Sequence, residues 1–455
     1  MAEILPFIGM RYNSQLIGNL SKVLAPPYDI ISPELQDELH QRHPNNVVRM
    51  ELGRDERDDD GFSNKYTRAA NTLGTWRSDG ILIEDERPSF YLYEQQFKTA
   101  DGQVKKRRGF FALVKLEDYK SGAIRAHETT MSGPKVDRLK LLRATHANFS
   151  PVFVLYNDPN EEVLKLLSQR MSEKPWEEVV DDDTVTHRLW VVQKKDFLIE
   201  LRELLKSRQL FIADGHHRYE TALKYRDEMR EETGKKDGKQ PFDYMMMFLT
   251  SAEQDGLVIL PTHRALTRSF LNQVDMREAV EELKENFDLA KDKVDLEKPE
   301  AEAKRLLDKL QTAGKKSHSF AMVLGDGTVF FVTLKKGVNP TEMIDEEDID
   351  DRVKNIDVAI LHYYIINYVM AGNPEFELDD DECYYIRDAM RVLELLKQKK
   401  AALGFLLNAS PLEEVMRIVS AGIRMPHKST YFHPKIITGL VIRNMECEQK
   451  KAAKR

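Results

Sequence analysis

Residues able to do chemistry gather in three short stretches of this chain. The densest is Phe211-Ile212-Ala213-Asp214-Gly215-His216-His217-Arg218-Tyr219-Glu220. An apolar run ends at an aspartate, a glycine permits a sharp turn, and two histidines and an arginine open the next element. Tyr219, Ala222, Leu223 and Tyr225-Arg226 have helical spacing. The first amides of such a helix lack intrahelical partners, and its dipole adds about half a positive charge there. Asp214, Gly215, His216, His217 and Arg218 then form an anion cradle, with phosphate as its natural guest. A plainer reading has Asp214 capping the helix and the histidines covering its end. A third puts a metal on His216 and Glu220, four apart on one helical face, without the His-x-x-x-His spacing that such sites favour.

The second stretch is Ile124-Arg125-Ala126-His127-Glu128-Thr129-Thr130, with Lys135-Val136-Asp137-Arg138 close behind it. A glutamate titrates near about 4.3, so Glu128 is ionised at neutral pH and can accept a proton. A positioned base contributes roughly 10²–10⁴-fold to a rate. The alternative is a solvated helix start with ordinary ion pairs. The third stretch runs from Arg424-Met425-Pro426-His427-Lys428-Ser429-Thr430 through Tyr431-Phe432-His433-Pro434-Lys435. Two prolines stiffen it, Lys428 offers a point charge, and Ser429 and Thr430 offer donors for phosphate or carboxylate. Its alternative is a surface turn. The Walker A, Gly-x-Gly-x-x-Gly, Gly-x-Ser-x-Gly and His-Glu-x-x-His patterns are all missing from the sequence.

These stretches need elements to hold them. Ser32-Pro33-Glu34-Leu35 predicts a helix with Ser32 as N-cap and Pro33 in its first turn. Residues 90–97 and 109–114 predict a strand pair turning at Ala100-Asp101-Gly102. Residues 151–156, 187–192 and 210–213 read as strands, with helices near 161–170 and 196–206. A charged helix pair and a hairpin turning at Asp326-Gly327 fill 275–350, and 359–370 reads as an apolar helix. The boundaries expected are a segment 1–120, a core 121–270, an inserted or appended unit 271–379, a C-terminal α/β segment 380–445 and a tail 446–455.

Composition narrows the function classes. The 455 residues exceed one ordinary core, and 41% hydrophobic with 32% charged residues is globular usage. Sixty-eight basic against 76 acidic residues give a net charge of −8, which disfavours a nucleic-acid coat. Cys383 and Cys447 supply neither a disulfide framework nor a Cys-based zinc site. The N-terminus lacks a basic-then-apolar signal pattern and no run reaches membrane-spanning length, so the expected compartment is the cytoplasm.

Asp214-Gly215-His216-His217-Arg218 resembles the phosphate-contacting motif of the ParB/sulfiredoxin-like superfamily. Within it, the order of His127-Glu128, Asp214 to Arg218 and Pro426 with Lys428-Ser429-Thr430 looks most like the ADP-dependent free-serine kinases. Pro6-Phe7 and Ala25-Pro26-Pro27-Tyr28-Asp29, with those motifs, also resemble a long bacterial and archaeal domain-of-unknown-function family. The resemblance implies an α+β fold, a ParB/sulfiredoxin-like nucleotide-binding core with additional α/β segments. It implies Glu128 as the base that deprotonates serine, with His217 as its catalytic companion. His216, His217 and Arg218 would bind the transferring phosphate, with Asp214 and Gly215 in the same nucleotide site. His127, Lys428, Ser429 and Thr430 would hold the amino acid or its phosphate. ADP or ATP with Mg²⁺, and serine or phosphoserine, are the implied partners, the metal ligands being unassigned. Two rivals use the same motifs: a ParB-like nucleotide switch or DNA-segregation protein, and a phosphoserine phosphatase.

Overall fold

The computed structural model describes residues 2–128, 132–376, 378, 381–446 and 448. Thr129, Thr130, Cys447 and the tail from 449, expected to be part of a frayed helix, lie outside them. The described chain is a mixed α+β structure dividing into two compact units. One comprises Met1–Ala126, Thr130–Val258 and Pro434–Arg455; the other comprises His127–Thr129 and Ile259–His433.

Apolar runs rich in aromatic and β-branched residues favour strands covered on both faces. In the first unit they build a nine-stranded sheet. Its strands are β1 (Ile4–Leu5), β2 (Phe90–Lys98), β3 (Val104–Lys115), β4 (Ile124–Arg125), β5 (Val152–Tyr156), β6 (Glu177–Val180), β7 (Thr186–Val192), β8 (Leu210–Asp214) and β9 (Tyr244–Ser251). The order is β4-β8-β5-β9-β3-β2-β7-β6, with β1 added alongside β3. Pairs β4–β8 and β5–β9 are parallel, and the rest are antiparallel. Helix Lys195–Lys206 lays Phe197, Leu201 and Leu205 against this sheet at four-residue spacing. Val154, Ile212, Tyr219 and Leu249 belong to the same core.

Strand β8 lies one place in from the β4 edge, and its register with β5 shifts between Ile212 and Asp214. Such an irregularity re-aims side chains at a strand end. It brings the chain to Gly215 and into helix α1 (His216–Thr233).

The second unit carries a six-stranded antiparallel sheet of β10 (His263–Leu266), β11 (Phe287–Lys293), β12 (Ser319–Leu324), β13 (Thr328–Leu334), β14 (Cys383–Ile386) and β15 (Leu403–Leu406). Their order is β11-β13-β12-β15-β10-β14. Helices α2 (Pro299–Gly314) and α3 (Ala389–Lys397) cover it, burying Leu306, Leu310, Val392 and Leu396. The apolar segment expected as an ordinary helix is wound as a π-helix over Ile360–Met370, and the Ala371 amide bonds the Ile366 carbonyl five residues back. It is buried on nearly every side, so its apolar pattern carries no period to distinguish the two windings. No helix among the described residues is long and apolar enough to cross a membrane.

Gly109 shows how tightly the first sheet is packed. A Cβ there would lie 2.2 Å from the Leu249 carbonyl oxygen and 2.6 Å from the Phe248 ring. Overpacking of this kind costs about 1–3 kcal/mol. Gly109→Ala is therefore expected to lower the urea midpoint by that free energy, and an unchanged midpoint would contradict the packing described.

Candidate functional site

The residues singled out from sequence fall into two sets, one in each unit. In the first unit, Gly215 takes φ 90°, a left-handed conformation that a side chain disfavours. A Cβ at this position would also stand 3.0 Å from Nε and Nη2 of Arg218. Glycine is thus required twice, by the turn and by the guanidinium folded over it.

Arg218 is buried. Its Nη2 donates to Asp214 Oδ2 at 2.9 Å and its Nη1 to the Pro151 carbonyl at 2.6 Å. Asp214 Oδ1 accepts from Lys435 Nζ, whose side chain is only 10% exposed. Burial works to lower the Arg218 pKa, but Asp214, Asp29, Tyr28 and Glu51 outweigh it and the net shift is upward. Arg107 is fully buried nearby, stacked 4.8 Å from the Phe153 ring, and burial brings its pKa down to about 10 against the opposing pull of Tyr93 and Asp214. Gln95 bridges this network: its Oε1 accepts from Arg107 Nε at 3.1 Å and its Nε2 donates to the Lys435 carbonyl at 2.9 Å.

His216 is buried and His217 half-buried in the first turn of α1. Glu220 accepts from Lys135 Nζ at 3.1 Å, so its carboxylate is engaged by a cation. Among the described residues no group of three or more His, Cys, Asp or Glu side chains is arranged to hold a metal.

Behind Arg218 lies a second charged cluster that none of the three sequence stretches identifies as such. Glu51 is buried and accepts from Ser150 Oγ at 2.7 Å, while Arg138 Nη1 donates to the Glu51 carbonyl at 2.7 Å. Burial raises the Glu51 pKa against the pull of Arg138, Ser150 and Arg218. The Arg138 guanidinium also sits 4.2 Å over the Tyr28 ring. The stiff motif at 25–29 therefore contributes Tyr28 and Asp29 to the electrostatic surroundings of Arg218.

The second unit holds His127, Glu128 and the loop around Lys428. The Met425 amide donates to the His127 carbonyl at 2.6 Å, and a parallel bridge joins Glu128 to Met425. Glu128 Oε1 accepts from the Thr430 amide at 3.1 Å and from the Thr430 hydroxyl at 3.2 Å. His127 Nε2 is 2.8 Å from the same hydroxyl. Ser429 is buried, with its hydroxyl donated to the Pro426 carbonyl.

Lys428 takes φ 55°, a strained conformation for a residue with a side chain. Arg264 holds it there, donating from Nη2 to the Lys428 carbonyl at 3.1 Å and from Nη1 to the Thr262 carbonyl at 2.6 Å. Arg264 is itself buried and stacked 4.4 Å from the Tyr385 ring. The Lys428 ammonium has no ion-pair partner among the described residues. Lys435 closes the third sequence stretch without a role being assigned to it, and Arg264 lies outside all three, since their partners lie far away along the chain.

Fold and turn together define an α+β protein in which a strand passes through a glycine turn into a helix. The chain belongs to the DUF1015 family, "Protein of unknown function", whose pattern matches residues 4–359. No functionally curated protein shows significant similarity to it. Among solved structures it is similar to a conserved hypothetical protein from Pyrococcus furiosus, with 14% identity and TM-score 0.34 over 74% of this chain and 96% of that one. It is also similar to a free serine kinase in complex with AMP, with 15% identity and TM-score 0.33 over 72% and 92% of the two chains. C-terminally truncated SbnI from Staphylococcus aureus is a further neighbour, with 10% identity and TM-score 0.34 over 76% and 94%.

His263, next to Arg264 in the chain, is buried and accepts from the Leu407 amide at 3.1 Å. Burial, with Arg264 adding to it, brings the His263 pKa down to about 3. The unfolded chain protonates this ring near about 6.5 and the folded chain does not, so stability falls as pH drops through the interval from about 6.5 to 3. Between pH 7 and pH 5, His263 alone is expected to cost about 2 kcal/mol. In His263→Gln the acid-side loss of stability, measured by urea unfolding, should be shallower by that amount. An unchanged slope would contradict a neutral His263.

Proposed function

We propose that this protein transfers a phosphoryl group between a nucleotide, ADP or ATP, and the hydroxyl of free serine. The reading assigns the first unit a ParB/sulfiredoxin-like nucleotide-binding core and sets the reaction in the cytoplasm. The observation that carries it is the charge at the Gly215 turn. A lone aspartate at a helix start would repel phosphate, but Asp214 is paired with both Arg218 and Lys435. Two cations against one carboxylate leave a net positive turn, to which the helix dipole adds.

In this reading the amides that open α1 and the side chains of His216 and His217 contact the nucleotide phosphates. Arg218, committed to Asp214 and Pro151, fixes the turn and supplies charge from behind. The arrangement suits a phosphate. Among the described residues it offers no preformed cage for Mg²⁺, which in phosphoryl-transfer sites is commonly held by the phosphates themselves with one or two carboxylates. Glu128 is the base. Its Oε1 already accepts a hydrogen bond from the β-hydroxyl of Thr430, the same kind of group that serine presents. As the serine oxygen bonds phosphorus and the bond to the nucleotide oxygen breaks, the serine proton passes to Glu128. Lys428 neutralises the carboxylate or the phosphate of the amino acid, with His127, Ser429 and Thr430 shaping its seat.

Phosphorus NMR of the protein with serine and either nucleotide should show O-phosphoserine accumulating. Glu128→Gln keeps size and hydrogen bonding but removes the proton acceptor, so turnover should fall roughly 10²–10⁴-fold with nucleotide affinity preserved. His217→Ala should instead weaken nucleotide binding by about 10-fold or more, the worth of a hydrogen bond to a charged group. No phosphoserine with either nucleotide, or a Glu128→Gln enzyme of full turnover, would contradict the assignment.

A further inference from the structure

A cavity of about 810 Å³ in the second unit contains none of the residues assigned above. The geometry of the β12–β13 hairpin explains why it is charged. At the open end of the hairpin the Leu334 amide donates to the His318 carbonyl at 2.9 Å, so residues 315–318 lie beside 334–338. Lys315 and Lys316 are thereby set next to Lys335 and Lys336, and all four line the cavity. Lys335 is occupied, its Nζ donating to the carbonyls of Lys284 and Glu285. Lys315, Lys316 and Lys336 are exposed and have no ion-pair partner among the described residues. Like charges gathered in a concavity focus a field that attracts anions.

The less exposed lining has the opposite character. His318 Nδ1 lies 2.6 Å from Asp357 Oδ1, which fixes the imidazole and leaves Nε2 without a hydrogen-bond partner among the described residues. Glu414 completes this side; burial first and Asp357 second raise its pKa. Two carboxyl groups and a fixed imidazole favour a ligand end that donates hydrogen bonds. The volume falls within the range of small-molecule sites, roughly 300–1,000 Å³. The charged groups of this lining stand in two places, lysines on one side and the two carboxyl groups with His318 on the other, which suits a ligand polar at both ends.

We propose that this cavity binds a small phosphorylated metabolite carrying an ammonium or hydroxyl group at its other end. The phosphate meets Lys315, Lys316 and Lys336, and the donor end meets Glu414 and the His318–Asp357 pair. This is a second site, independent of the phosphoryl-transfer assignment.

Quantitative lysine acetylation read by mass spectrometry tests it on the full chain, with O-phosphoethanolamine as the probe. At millimolar probe, Lys315, Lys316 and Lys336 should be protected several-fold, while exposed Lys98 and Lys235 label as before. Ethanolamine should not protect. Inorganic phosphate should protect more weakly, and Glu414→Gln should reduce protection by phosphoethanolamine but not by phosphate. Unchanged labelling of the three lysines would overturn the site. Equal protection by phosphate and phosphoethanolamine, or an unaffected Glu414→Gln, would overturn its two-ended character.

Discussion

Asp214 ties together the parts of the first unit that are most distant in sequence. Its carboxylate ends an inner strand, meets the guanidinium of Arg218 one turn into the adjoining helix, and meets Lys435 from the C-terminal segment. Each group is largely withdrawn from water, where an unpaired charge costs several kcal/mol and removal of one partner typically about 3–5 kcal/mol. The remaining hydrogen-bonding capacity is mostly taken up around them. Arg218 reaches the Pro151 carbonyl, and the Lys435 carbonyl is held by Gln95, which also receives Arg107. Strand β2, strand β8, helix α1 and the C-terminal segment therefore share one electrostatic constraint.

That constraint changes what the histidine-arginine turn can do. By residue type alone, Asp214 and Arg218 are as available to a ligand as their neighbours. In the folded chain they neutralise one another in part, and Lys435 tips the balance to positive. On the proposed function, what remains to meet a ligand is the helix start itself, with His217 half-buried in its first turn. The second unit applies a similar device to Lys428. Arg264, buried against Tyr385, grips the loop carbonyl and holds the lysine in a conformation it would not otherwise favour. In both units a buried arginine gives up its own donors to fix a turn that the proposed function uses.

Much of this scaffold was legible locally. Ser32 caps its helix through the Leu35 amide at 3.2 Å, as the Ser-Pro pair predicts. The strand-to-glycine-to-helix passage at 210–218 and the hairpin turning at Asp326-Gly327 arise from periodicity and turn chemistry. The meeting of Glu128 with Thr430 obeys no local rule, nor does that of Asp214 with Lys435, because each joins residues hundreds apart through tertiary packing. Glu51 looks like an ordinary charged position in sequence and Arg138 only follows the second stretch, so burial alone reveals them as an internal pair. The π-helix was invisible for another reason: a largely apolar element buried on nearly every side has no hydrophobic period to betray its winding.

The start of helix α1, made positive by the shared ion pairing of Asp214, is on this proposal the seat for nucleotide phosphate. Amide NMR of protein labelled with ¹⁵N-histidine and titrated with ADP examines that seat directly. Saturable downfield shifts of the His216 and His217 amides are expected, smaller with AMP and lacking with adenosine. Histidine amides that stay put while ADP binds, or that respond equally to adenosine, would contradict it.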